Sequence, residues 1–290
     1  MGKVFKALNK AMSNPEESAS PPPSTPEPSV KTERQPTPAK REIPTVNVTG
    51  SMDNTSGVNN WDEKLVAFSA PSSIITENIR HLRNRILHPP SGGPALRRVM
   101  TTSALPGEGK SMLCSNLAIS MAQGLEQHAL LVDCDLRRSS LAQMLAVNNS
   151  QGLSNYLQHD RELGEVIRQT GLPKLSLLPS GPRPMNPAEL LDSKRVGEMF
   201  DELSNRYDDR FIIIDTPPLP MAAETTVLAE QVDGIIIVVR WGRAAREQVK
   251  QMTENLNKDK IIGIVFNAFE KDILSAKLTG YEPYGHYGGY

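Results

Sequence analysis

Arg98-Val-Met-Thr-Thr-Ser103, running directly into Ala104-Leu-Pro-Gly-Glu-Gly109-Lys110-Ser111, decides how the rest of the chain is read. A strand-type segment enters a loop of small residues, and an apolar helical pattern starts at Lys110. Strand, loop and helix in that order form the context a phosphate-binding loop requires. Small residues let backbone N–H groups converge on phosphate oxygens at a helix start, where the aligned peptide dipoles favour negative charge. Leu105, Pro106, Gly107, Glu108, Gly109, Lys110, Ser111 and Met112 are therefore the candidate nucleotide cradle. Lys110 is placed to neutralise the β- and γ-phosphates of ATP, and the Ser111 hydroxyl to hold Mg²⁺. Ala104 stands where the usual pattern opens on glycine.

Two further segments carry acids. Leu130-Leu-Val-Asp133-Cys-Asp135-Leu-Arg-Arg138 ends a second strand-type run. Residues two apart in a strand point to the same side, which aims Asp133 and Asp135 together at the phosphate edge. One can hold the metal and the other can accept a proton from an incoming hydroxyl. Which of the two is the base stays open, and Asp135 joins Ser111 and Asp215 in the candidate metal set. Phe211-Ile-Ile-Ile-Asp215-Thr-Pro-Pro218 has the Walker B form, four apolar residues ending in an acid. Its prolines stop the strand and open a loop beside the γ-phosphate.

Outward from these motifs, apolar runs of strand length alternate with segments of helical period. The expected strands are 98–103, 129–133, 175–179, 211–215, 234–239 and 261–266. The expected helices are 74–87, 110–123, 140–145, 163–169, 187–207, 224–231 and 246–257. Such alternation predicts an α/β P-loop NTPase fold, a mostly parallel sheet covered on both faces by helices. Right-handed crossovers then collect the strand C-termini, and the site, along one edge.

The globular pattern spans 61–278. Before it, residues 1–12 place Val4, Phe5, Leu8, Ala11 and Met12 near one helical face, a short amphipathic helix candidate. Residues 13–60, rich in Pro, Ser, Thr and Glu, read as a disordered tether, because they cannot bury enough apolar surface to offset their ordering entropy. After it, residues 279–290 form a flexible tail. Four of the six tyrosines, Tyr281, Tyr284, Tyr287 and Tyr290, fall there at a spacing of three. Eleven extended residues reach roughly 35–40 Å, enough to enter a neighbouring subunit's site.

The 290-residue chain has a formal net charge of −1, which provides no general attraction to nucleic acid. Its aliphatic runs are far shorter than the roughly 20 residues a spanning helix needs. The lysines near the start are not followed by the apolar stretch of a secretory signal. Cys114 and Cys134 are not in a CxxC pair, which argues against an iron–sulfur carrier and favours two buried thiols. Leu105 occupies the position where partition and cell-division ATPases carry a second lysine.

Together, SALPGEGKS, LLVDCDLRRS, FIIIDTPP, SGPRPMNPAELLDSKRVGEMF, IIGIVFNAF and the tyrosine-rich end resemble the bacterial tyrosine kinases, cytoplasmic autokinases of exopolysaccharide and capsule export. The resemblance covers roughly residues 70–290. It implies nucleotide, metal and catalytic roles for Lys110, Ser111, Asp133, Asp135 and Asp215, with Tyr281, Tyr284, Tyr287 and Tyr290 as phosphate acceptors. Glu77, Arg80 and Arg83 match the ExxRxxR helix through which such subunits pack into rings, although Arg85 stands where the family has Asn. The resemblance also implies a membrane polysaccharide co-polymerase as activator, a phosphotyrosine phosphatase as counterpart, and a location at the inner face of the cell membrane held through a partner.

Overall fold

The computed structural model describes residues 60–159, 161–206 and 210–268. In chain order these form α1 (Val66–Ser69), α2 (Ile74–Leu87), β1 (Arg98–Ser103), α3 (Lys110–Ala122), β2 (His128–Asp133) and α4 (Leu141–Met144). There follow α5 (Leu153–Gln158), α6 (Leu163–Val166), β3 (Arg168–Gln169), β4 (Leu175–Leu178), α7 (Pro187–Leu191) and α8 (Lys194–Arg206). The last are β5 (Arg210–Asp215), α9 (Glu224–Glu230), β6 (Gly234–Arg240), α10 (Arg246–Glu254) and β7 (Ile261–Asn267). The amphipathic segment 1–12, nearly all of the 13–60 tether and the 279–290 tail lie outside the described residues.

The strands make one sheet in the order β3-β4-β2-β5-β1-β6-β7. Every pairing is parallel except that of β3 with β4. Because side chains alternate across a strand, the sheet feeds two cores. Val99, Leu131, Phe211, Ile213, Ile236 and Val238 pack with α1 to α4 on one face. Met100, Leu130, Val132, Ile212, Ile214, Ile235 and Ile237 pack with α5 to α10 on the other. Strands buried on both sides explain the near-continuous aliphatic runs that mark β5 and β6 in the sequence.

Two expected helices are interrupted within their periodicity, and the one expected over 246–257 ends at Glu254. The 163–169 segment is helical only to Val166; Arg168 and Gln169 then form β3, antiparallel to β4. Pro173 cannot extend a helix, and Lys174 takes a left-handed φ of 64° in the return to β4. The Thr170 hydroxyl also donates to the Leu175 carbonyl at 2.9 Å, closing this turn. The 187–207 segment breaks after Leu191, where the Ser193 hydroxyl donates to the Leu190 carbonyl at 2.6 Å and the Ser193 carbonyl accepts from Val196 N–H. A serine that satisfies neighbouring backbone in this way competes with a continuous helix.

Candidate active site

The P-loop connects β1 to α3, and two glycines make its path possible. Gly107 has φ 74° and Gly109 φ 98°, values that L side chains rarely adopt. A methyl group on Gly109 would also collide with the Asn267 side-chain amide. Glu108 is fully buried between them. Its carboxylate accepts from Leu105 N–H at 2.9 Å and from Arg240 N–H at 3.2 Å. Asn267 Nδ2 donates to the Glu108 carbonyl at 2.8 Å. Within the expected cradle, then, the Leu105 N–H and the Glu108 side chain brace the loop from inside. Convergent small residues around Gly107 and Gly109 remain for a phosphate chain.

Lys110 and Ser111 open α3. Lys110 is buried, and the Ser111 hydroxyl donates to Asp215 Oδ2 at 2.5 Å. Asp215 reaches this place because β5 inserts between β1 and β2, which sets Asp215 level with Thr101 on one side and Asp133 on the other. The Cys134 N–H donates to the Asp215 carbonyl at 2.9 Å, tying the two acid-bearing strand ends together. Asp215 Oδ1 is buried without a hydrogen-bond partner. A dry, half-satisfied carboxylate beside a serine hydroxyl and a lysine fits a phosphate-bound divalent cation. Among the described residues no three His, Cys, Asp or Glu side chains converge as a metal cluster.

The second pair of acids departs from the strand geometry expected of it. β2 ends at Asp133, and Asp135 is placed by a turn in which its own N–H donates to Asp133 Oδ1 at 3.2 Å and its Oδ1 accepts from Arg138 N–H at 2.9 Å. Asp133 is fully buried and accepts from the Ser139 hydroxyl at 2.9 Å, whereas Asp135 lies nearer the surface. Burial, then the Asp215 charge, pushes the Asp133 carboxyl well above the usual carboxylate range. Burial pushes Asp215 up to about 7, against the Ser111 hydrogen bond and the Lys110 charge. Asp133 and Asp215 thus share one poorly solvated place, as in sites that move protons and bind cations. Cys114 and Cys134 are both free and buried, as expected, and burial raises both thiols.

A family model described as an AAA domain matches residues 100–262. The tyrosine-protein kinase YwqD of Bacillus subtilis (strain 168) is 34% identical over 226 residues, 77% of this chain and 91% of the relative. The chain belongs to the bacterial tyrosine kinase family. The chimerical protein CapA2B2 superposes with a TM-score of 0.67 at 31% identity, over 72% of this kinase and 92% of that chain. The kinase domain of the Escherichia coli tyrosine kinase ETK gives 0.66 at 29% identity, over 77% and 84%. This chain is accordingly a P-loop protein-tyrosine kinase.

Several site residues escaped the motif reading of this kinase. Arg243 approaches the P-loop so closely that a Cβ on Gly107 would lie 3.1 Å from its guanidinium. Arg137 donates through Nε and Nη2 to Glu224 Oε1, each at 2.9 Å. Arg243 and Glu224 follow the C-terminal ends of β6 and β5, and Asn267 ends β7, the general location for sites in such sheets, and that rule could have singled them out. Away from the site, Glu77 and Arg80 pair within α2 at 2.9 Å and face outward. Arg83 turns inward and donates to the Ser120 carbonyl at 2.8 Å. The four tail tyrosines lie outside the described residues. No helix among the described residues is long and apolar enough to cross a membrane.

Proposed function

We propose that this kinase binds Mg-ATP at the P-loop and phosphorylates Tyr281, Tyr284, Tyr287 and Tyr290 of its own chain, between subunits, in the control of exopolysaccharide or capsule polymerisation and export. The observation that carries the reading is a P-loop with Lys110, Ser111 and three buried acids in a chain whose last ten residues hold four tyrosines. Leu105 to Met112 enclose the phosphates, Lys110 neutralises the transferred group, and Ser111 with Asp215 and Asp135 holds Mg²⁺. Bound Mg-ATP would supply the phosphoryl group, leaving as ADP, with the cation neutralising the charge that builds on the β- and γ-phosphate oxygens. One of Asp133 and Asp135 takes the proton from the tyrosine hydroxyl.

Subunits associate through the outer face of α2, where Glu77 and Arg80 are joined by the exposed Ile74 and Ile75. Arg83 supports that face from below through its bond to α3. A membrane polysaccharide co-polymerase activates the kinase and holds it at the inner face of the membrane, and a phosphotyrosine phosphatase resets it. Each phosphate adds about −1.5 to −2 charges, so a phosphorylated tail favours dissociation.

Mixing two variants tests the acceptor and the route together. Lys110→Met keeps the tail but lacks the phosphate-binding lysine, and a chain ending at residue 278 keeps the site but lacks the tyrosines. With Mg-ATP and the activator present, phosphate is expected on the tail of Lys110→Met only in the mixture. Phosphate absent from the wild-type tail would sink the autokinase reading. Phosphate on the wild-type tail but none in the mixture would sink transfer between subunits.

A further inference from the structure

The two loops that carry the acids are joined at a second point, away from the phosphates. Glu224 opens α9, and its side chain is 1% exposed, whereas that of Arg137 is 40% exposed. Both Arg137 donors converge on a single oxygen, Oε1, and Glu224 Oε2 is buried without a hydrogen-bond partner. A buried acceptor left unserved destabilises the fold. Apolar side chains of similar volume often hold two such elements together as well or better. Packing alone therefore gives a weak account of this pair.

Its place in the fold suggests a stronger one. The Pro217 carbonyl, two residues past Asp215, accepts from the hydroxyls of Thr102 and Thr225, both at 3.3 Å. Thr225 is next to Glu224. Arg137 is two residues past Asp135, in a turn held by the bond from Arg138 N–H to Asp135 Oδ1. Together with the bond from Cys134 N–H to the Asp215 carbonyl, these contacts close a circuit. It runs from Asp215 through Pro217, Thr225, Glu224 and Arg137 to Asp135, and back to Asp215 through Cys134. Without the ion pair, the turn bearing Asp135 would keep, among the described residues, the Cys134 N–H bond to the Asp215 side and the packing of Leu136 in the shared core, but lose its charged tie to α9.

We propose that Arg137 and Glu224 are positioning residues that set Asp135 against Asp215 for tyrosine phosphorylation. Neither touches the reacting atoms. The pair acts through the loop that holds Asp135, so its loss should slow transfer and weaken the use of Mg²⁺ while leaving the P-loop's grip on the nucleotide intact. A misplacement of about 1 Å at a reacting centre can lower a rate by about 100-fold.

The test uses the full-length kinase with an added tyrosine peptide, so that it does not depend on the tail as acceptor. Glu224→Gln is expected to lower kcat by about ten-fold or more and to raise the Mg²⁺ concentration needed for half-maximal rate, with affinity for a fluorescent ADP in EDTA unchanged within about two-fold. Arg137→Lys, which keeps the charge and loses the fork, should show a smaller loss. The double variant should be no slower than the slower single one, because both changes open the same link. Arg137→Met with Glu224→Met guards against misfolding: this apolar pair should melt at or above the wild-type temperature and still be slow. Turnover at the wild-type rate by the apolar pair, losses that multiply in the double variant, or a fall in ADP affinity parallel to the rate would each overturn the proposal. The wild-type chain is the control, and its failure to phosphorylate the peptide would count against the kinase activity itself rather than against the pair.

Discussion

Asp133 and Asp215 stand level with each other at the ends of the neighbouring parallel strands β2 and β5, and both are buried. Burial raises both carboxyls, Asp215 to about 7, and the Asp215 charge raises Asp133 further. A carboxyl whose folded value is raised stabilises the fold in its protonated form. That stability is complete below the unfolded value near 4 and is lost as pH rises through about 7. Free of nucleotide and metal, the protein should therefore melt at steadily lower temperature from about pH 5 to 8. Asp215→Asn should flatten this slope and melt above wild type at the alkaline end. Thermal melts in EDTA across that range provide the check, and a slope equal to wild type in the Asn variant would contradict it.

Lys110 is buried in the first turn of α3 and faces the acids rather than the apolar core. Lys110→Met should leave the circular dichroism spectrum unchanged. It should lower phosphotyrosine formation by about 10²–10³-fold, the scale of losing one preorganised charge at a developing anion. Quantitative mass spectrometry of phosphotyrosine measures this directly.

Glu108→Ala should weaken the nucleotide site without touching a phosphate. It removes the acceptor of two backbone donors, Leu105 N–H and Arg240 N–H. An unserved buried donor costs about 1–3 kcal/mol, so a clear drop in melting temperature should accompany the loss of ADP affinity. Glu108→Gln, which keeps one acceptor oxygen, should recover part of both. Titration with fluorescent ADP and thermal melts separate the two variants.

Gly109→Ala should be more damaging than Gly107→Ala. Both positions have left-handed φ, worth about 1–3 kcal/mol of strain for a side chain. At Gly109 the new methyl also collides with the Asn267 amide, which anchors the loop to β7. At Gly107 it meets the end of the flexible Arg243 side chain, which can move aside. Comparing ADP affinity in the two variants tests the order.

The fold was largely legible because its signals are local. Glycines, the lysine and serine that follow them, aliphatic runs ending in acids, and helical periods all sit within a few residues of one another. The limits of α2 and β1 were readable from spacing alone. Where local signals competed, the reading faltered: Arg168 and Gln169 continue a helical period, yet they pair with β4, because a partner strand can satisfy their backbone groups there.

By itself, the sequence determined a P-loop followed by two acid-bearing strand ends, and with them the α/β class and the family. Tertiary structure decided which acids meet. Only the insertion of β5 between β1 and β2 brings Asp215 beside Ser111 and level with Asp133. Only packing shows that the Glu108 side chain braces the loop, that Arg83 turns inward, and that Arg137 finds Glu224 87 positions away. The reason is physical: residue spacing encodes periodicity and backbone freedom. Strand order and the partnering of distant charges depend on how whole elements bury their surfaces against one another.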